Sequence, residues 1–274
     1  MVVGRPRTSD EAPQGAAASL LNGLGVLEAF SIEKPILGVT EIAQRVGLHK
    51  STVSRILAGL AEAGYVQRDE ASGRYRLGLG LLALSGPLLA DLDVRRAALP
   101  YLEELTEQTG ETSALAVWNG EEAIVVEQVP SPHQVKHTAS IGTRYNKFAS
   151  SSVQVFLAGL TPDAARELLA SGAVVLPGAH DAGPQTAAAR RALDVLTTVA
   201  ADGVAVNDGA TTPEEFGVSA PVWDYRGRMV GCVTASAPRS RAQGEVAERL
   251  AAAVVGTAGR VSARLGYGAK RAEA

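Results

Sequence analysis

Cys232 is the only cysteine in the 274-residue chain, so no disulfide can close within it, and a reducing compartment suits it better than an oxidising one. No apolar run approaches the roughly 20 residues that a membrane-spanning helix needs, and the opening MVVGRPRTSDEAPQGAA has no apolar core of signal-peptide length. Both absences lead to the expectation of a soluble, cytoplasmic protein without a membrane partner. Charge of one sign is also missing. The net charge is −3; residues 1–77 carry nine Lys/Arg against eight Asp/Glu, a balance of +1, which leaves −4 for the remainder. So small a contrast decides nothing, and any contact with nucleic acid has to be argued from local placement.

What is present is enough chain, 46% of it hydrophobic, for two cored domains. Residues 1–17 are rich in Gly, Pro, Ala and polar residues without periodicity and read as a flexible arm, with Arg5 and Arg7 as solvated charges. Ser19 then precedes Leu20, Leu24 and Leu27, a cap followed by a helical stripe.

The segment GVTEIAQRVGLHKSTVSRILAGLAEAGYVQRDEASGRYRLG carries the strongest pattern. Thr40 can cap a short helix that Gly47 ends, and a longer helix is expected from His49 to Ala63. Two helices joined by a tight glycine turn are a helix-turn-helix candidate. Val53, Ile56, Leu57 and Leu60 fall on one face of the second helix, which turns Ser51 and Arg55 outward, flanked by Thr52 and Ser54. Such a face suits a major groove, because small residues permit close approach and one arginine can read guanine bidentately. Lys50, beside free backbone N–H groups at the helix start, suits a phosphate. YVQRD and RYRLG, separated by the turn-rich EASG, then predict a hairpin bearing Arg68, Arg74 and Arg76, so the whole unit, residues 18–78, reads as a winged helix-turn-helix.

Residues 79–92 crowd leucines around Gly86 and Pro87 and read as a linker helix packed on another helix or a second subunit. An amphipathic helix over Asp93–Thr109 follows. TSALAVWNG and EEAIVVEQVP predict a hairpin, with HQVKHTASIG as a possible third strand. Helices are expected near 151–160, 162–171, 186–202 and 244–265, with strands at GVAVND, GVSAPVWDY and MVGCVTASAP. Residues 93–274 are therefore expected to form an α+β domain on a largely antiparallel sheet.

With these segments in order, the chain resembles the IclR family of bacterial transcription regulators. The likeness rests on the winged unit, on SIGTRYNKFASSSVQVFLAGL, on DGVAVND and on SAPVWDYRGRMVGCVTASAP. It implies a winged DNA-binding domain, a linker helix, a GAF-like effector domain, a homodimer or homotetramer on a palindromic operator, and a small-molecule effector, often an organic or aromatic acid. It departs from the family pattern at Phe148, Val153 and Gln154, where a His and a Gly-Lys pair are usual, and around Gly217, where a Cys is usual.

Ser150, Ser151 and Ser152 open a helix, where unpartnered N–H groups and the macrodipole favour a carboxylate. The resemblance places Ser151 and Ser152 at positions whose backbone touches the effector, and Asn207, Thr234 and Ser236 at effector-contacting positions; Asp208 and Ser219 are candidates beside them. Plain capping of the helix by one serine is the simpler alternative. A serine hydrolase is the rival class, yet G-x-S-x-G is absent and His180, the next histidine, lies in a Gly/Pro-rich stretch. His133 and His137 lack a clustered partner for a metal and read as loop residues, so neither metal nor cofactor is expected, and no enzyme. A DNA-binding protein without an effector is the remaining alternative.

Overall fold

The computed structural model describes residues 16–31, 34–91, 93–137, 140–177 and 187–268. The expected arm, with Arg5 and Arg7, and His180 lie outside the described residues. Chain contacts divide into two units, with the boundary after Asp91.

The N-terminal unit runs α1 (Ala16–Glu28), β1 (Ile36–Leu37), α2 (Val39–Val46), α3 (Lys50–Glu62), β2 (Val66–Arg68), β3 (Tyr75–Leu77) and α4 (Gly80–Asp91). Two expected caps are corrected. Helix α1 already includes Ser19, and α2 begins at Gly38, whose N–H is accepted by the Glu41 carboxylate at 2.8 Å, so Thr40 stands inside the first turn. A carboxylate three residues into a helix can reach back to the cap amide, and this is favoured where the cap residue has no side chain of its own. Gly47 ends α2 in the left-handed region at φ 69°, a conformation that only glycine adopts without strain.

Ile42, Val53 and Leu57 are fully buried with Val26, Leu37 and Val66 in one core, and each contributes roughly 1.5–3 kcal/mol by leaving water. β1, β3 and β2 form a three-stranded antiparallel sheet in that order. The two-residue β1 is too short to show a period in the sequence. Asp69 closes the wing turn by accepting from the Ser72 N–H at 2.7 Å, and Gly73 takes φ 68°. Leu79, Leu82 and Leu84, at the start of the expected linker, are exposed within this unit.

The C-terminal unit runs α5 (Asp93–Thr109), β4 (Thr112–Trp118), β5 (Ala123–Val129), β6 (Arg144–Tyr145), α6 (Ser151–Ala158), α7 (Pro162–Ser171), α8 (Ala187–Asp202), β7 (Ala205–Asp208), β8 (Glu215–Trp223), β9 (Met229–Pro238) and α9 (Glu245–Arg264). Its sheet is antiparallel throughout, in the order β6-β5-β4-β9-β8-β7. Among the described residues of HQVKHTASIG no strand forms: residues 133–137 run as a loop, and the edge strand comes later, at β6. Among the described residues, no helix is long and apolar enough to cross a membrane.

Alternation along β8 and β9 separates two layers. Phe216, Val218, Ala220 and Val222 join Val233, Ala235 and Ala237 in a core under α5 and α9. The odd residues of β8 and the even ones of β9 face the other side, where α6 and α8 build a second core from Val153, Val155, Phe156, Leu157 and Leu196. On that second face the strand residues are unusually polar or small: Glu215, Gly217, Ser219, Thr234 and Ser236.

Candidate functional site: a recognition helix and a buried polar cavity

In the N-terminal unit the outward face of α3 is as expected from spacing. Lys50, Ser51, Ser54 and Arg55 are exposed and Thr52 is half-buried. The Ser51 hydroxyl is engaged at the helix start with His49 Nδ1, at 2.8 Å. On the wing, the Arg76 guanidinium donates to Gln67 Oε1 at 3.1 Å and Arg68 lies over the Tyr75 ring at 5.9 Å from its centre, leaving both at the exposed surface. Arg74 is different. Its guanidinium donates to the Glu41 carboxylate at 2.6 Å and to the Ile36 carbonyl at 3.3 Å, which ties β3 to β1 and α2.

In the C-terminal unit the three serines stand over the polar strip. Ser150 is the N-cap of α6, but its side chain caps nothing. Ser150 and Ser152 pair hydroxyl to hydroxyl at 2.9 Å, and Ser151 pairs with Ser219 at 2.9 Å, which in turn meets Thr234 at 2.7 Å. The simpler alternative, capping by a serine, is therefore not what the fold does. Without a side-chain cap, the first turn of α6 keeps N–H groups that suit an anion, and the Gln154 amide that would follow donates to the Ser150 carbonyl at 3.1 Å.

Between α6 and the sheet lies a cavity of about 20 Å³, room for about one water. Its walls are Ser150, Ser151, Ser152, Asn207, Thr211, Glu215, Gly217, Thr234 and Ser236, with Ala114, Ala116, Val125 and Tyr145 on the apolar side. Six sequence-predicted residues thus come together, from α6, β7 and β9. Two do not line it. Asp208 follows Asn207 in an extended strand, so it points the other way and pairs with Arg239 at 2.6 Å. Ser219 is fully buried behind Ser151 and Thr234. Asn207 serves the β7–β8 loop, its side-chain oxygen accepting from the Ala210 and Thr211 amides at 2.9 and 3.2 Å.

Sequence reasoning missed Glu215 and Thr211. The Thr211 hydroxyl donates to Glu215 Oε2 at 2.6 Å, and His137 Nε2 lies 3.2 Å from Oε1. Burial pushes the Glu215 carboxyl up, but the bonds from His137 and Thr211 outweigh it and hold the group below its ordinary range. The same bond raises His137, against the opposing effect of burial. Burial, aided by the Glu215 charge, pushes the Tyr145 phenol up to about 12. His137, expected as a loop residue without a partner, is therefore part of the cavity's charge balance. The signal that could have found Glu215 is the period-2 alternation that puts it on one strand face with Gly217 and Ser219. Among the described residues, no group of three His, Cys, Asp or Glu is placed to hold a metal.

Comparison with known proteins bears on both units. The model of the IclR helix-turn-helix domain matches residues 19–70, and that of the bacterial transcriptional regulator IclR C-terminal domain matches residues 87–263. The chain belongs to the IclR family. As an IclR-family protein it is a DNA-binding transcriptional regulator. It is 31% identical to the glycerol operon regulatory protein of Streptomyces griseus over 85% of this chain and 90% of that one. A solved domain of an IclR-family transcriptional regulator is 48% identical, with a TM-score of 0.59, over 63% of this chain and 97% of its own. An IclR homologue from Microbacterium hydrocarbonoxydans, solved in complex with 4-hydroxybenzoate, superimposes with a TM-score of 0.73 at 26% identity, covering 90% of this chain and 98% of its own.

Proposed function

We propose that this IclR-family regulator is controlled by a small organic acid bound in the cavity between α6 and the β7–β8–β9 strip. The observation that carries this reading is the uncapped first turn of α6, whose three serines border a buried polar cavity in an otherwise apolar layer. Convergent polar groups in an apolar surround are what small-ligand binding needs. The Microbacterium homologue with its bound 4-hydroxybenzoate supports the same class of ligand.

In this reading the N-terminal unit binds a palindromic operator as part of a homodimer or homotetramer. Arg55 reads a base, with Ser51, Thr52 and Ser54 at the groove floor, while Lys50, Arg68 and Arg76 hold phosphates and Arg74 positions the wing. The effector acts by binding two conformations unequally, since a ligand with equal affinity for both shifts nothing. The cavity holds about one water, so an acid is taken up only as α6 and the strip part, and this couples occupancy to shape.

The test is a gel shift on the intergenic DNA beside the protein's own gene, with and without candidate acids. Specific retardation that an acid alters is the expected outcome. No specific retardation of that DNA would overturn the regulatory reading there, and retardation indifferent to every acid would favour a DNA-binding protein without an effector.

A further inference from the structure

Gly217 stands directly across from Ser236 in the register of β8 and β9, and from Asn207 in that of β7 and β8. The space where a Cβ would sit on Gly217 is 3.5 Å from Ser151 Oγ, 3.8 Å from Glu215 Oε1 and 3.8 Å from Asn207 Cβ. Gly217 is not needed for a left-handed turn, because it lies in an extended strand; what it supplies is the gap. Ser236 borders this cavity at 5% exposure, and its hydroxyl has no hydrogen-bond partner among the described residues. That hydroxyl is open to the cavity, where a ligand can reach it.

The two ends of the gap differ in sign. At one end is the first turn of α6, with amide donors and no side-chain cap. At the other is Glu215, which accepts one bond on each carboxylate oxygen, from His137 and Thr211, and keeps lone pairs free. Among the described residues that line the cavity, none is Lys, Arg or His. A simple carboxylic acid would satisfy the α6 end and leave Glu215 facing its carbon skeleton. A ligand that also donates would turn that contact into a charge-assisted bond.

We propose, on the reading that this cavity holds the effector, that the effector is a small acid carrying a hydroxyl or ammonium group one or two carbons from its carboxylate, as in a hydroxy acid or an amino acid. The carboxylate lies at the first turn of α6 and against Ser236, the donor lies on Glu215, and the short carbon skeleton rests on Ala114, Ala116 and Val125. Ser151 Oγ and Glu215 Oε1 lie 3.5 and 3.8 Å from one point, so the first turn of α6 and the carboxylate are near enough for one small ligand to reach both. A ligand bridging them has its acid and its donor close together.

Calorimetric titration of the full chain with propionate, lactate, 3-hydroxypropionate and alanine tests this. Lactate, 3-hydroxypropionate or alanine is expected to bind on the order of tenfold or more tighter than propionate, the range of a hydrogen bond to a charged group. Lactate against alanine tells hydroxyl from ammonium. Glu215→Gln is expected to narrow that preference. Gly217→Ala, whose methyl meets only ordinary van der Waals neighbours, is expected to keep its melting temperature and lose binding of all four acids. Propionate binding as tightly as the substituted acids, or Gly217→Ala binding them unchanged, would overturn the proposal. If benzoate or 4-hydroxybenzoate binds while these four do not, the acid-effector reading stands and this inference falls. If no acid binds at all, both fall.

Discussion

Arg74 in the wing reaches back to Glu41 of α2 at 2.6 Å, while the same Glu41 accepts the amide that begins the helix at Gly38. One carboxylate thereby joins the sheet to the first helix of the helix-turn-helix. The pair is close to half-exposed, so by itself it adds little to stability. Its effect is on where the wing sits. Arg74→Ala is expected to weaken binding to operator and random DNA by the same factor, with the salt dependence unchanged, as measured by fluorescence anisotropy at several salt concentrations. A fall of about 0.9 in the salt slope would instead mark a lost phosphate contact.

Arg55 projects from the exposed face of α3. Arg55→Ala is expected to reduce operator affinity by roughly tenfold or more while leaving affinity for random DNA nearly unchanged, because a bidentate base contact discriminates by about 1–3 kcal/mol. Lys50→Ala is expected to act on both DNAs and to lower the salt slope by about 0.9. Competition assays with operator and scrambled duplexes separate the two.

Gly78 sits where the wing returns to the helix-turn-helix. A Cβ there would lie 2.3 Å from the Gly64 carbonyl oxygen, and the Gly78 amide donates to the Tyr65 carbonyl at 2.8 Å. Backbone on both sides cannot retreat without breaking that bond. Gly78→Ala is expected to destabilise the N-terminal unit by about 1–3 kcal/mol, in the range for overpacked sites. Chemical denaturation checks this, and Gly59→Ala, where a Cβ meets nothing within 4 Å, is the control.

His137 and Glu215 stabilise each other only while both are charged. The Glu215 pKa is lowered from 4.5, so its contribution is present above that value and is lost as pH falls through the folded value. The His137 pKa is raised from 6.5, so its contribution is present below that value and is lost as pH rises through the folded value. The pair is therefore fully formed between 4.5 and 6.5. The melting temperature of His137→Asn is expected to fall furthest below that of the unaltered protein in this window, with the gap closing toward alkaline pH. Thermal melts across the pH range follow the difference directly.

Much of the fold was legible in the residues. The 3.6-residue spacing of Val53, Ile56, Leu57 and Leu60 put Arg55 on the outer face of α3, and the structure has it there. The alternation in GVSAPVWDY and MVGCVTASAP placed the two longest strands. Short elements were not legible, since the two residues of β1 or β6 carry no period. Caps were misread where glycine and a later carboxylate replaced a hydroxyl, as at Gly38.

Of the candidate site, local chemistry alone identified KFASSSVQVFLAG as a helix start with serines and flagged the hydroxyl-bearing strands. Which residues meet depended on strand register. Register set Gly217 across from Ser236 and turned Asn207 inward and Asp208 outward, while the course of the 133–137 loop brought His137 to Glu215 across 78 positions of sequence. A period-2 pattern says which residues share a face of one strand, but the partner across the sheet is chosen by long-range pairing that no single stretch encodes. The sequence by itself thus determined the two-part architecture and the polar helix start. Only the tertiary structure decided that Arg74 meets Glu41, that no serine caps α6, and that the cavity opposes a helix N-terminus with a half-buried carboxylate.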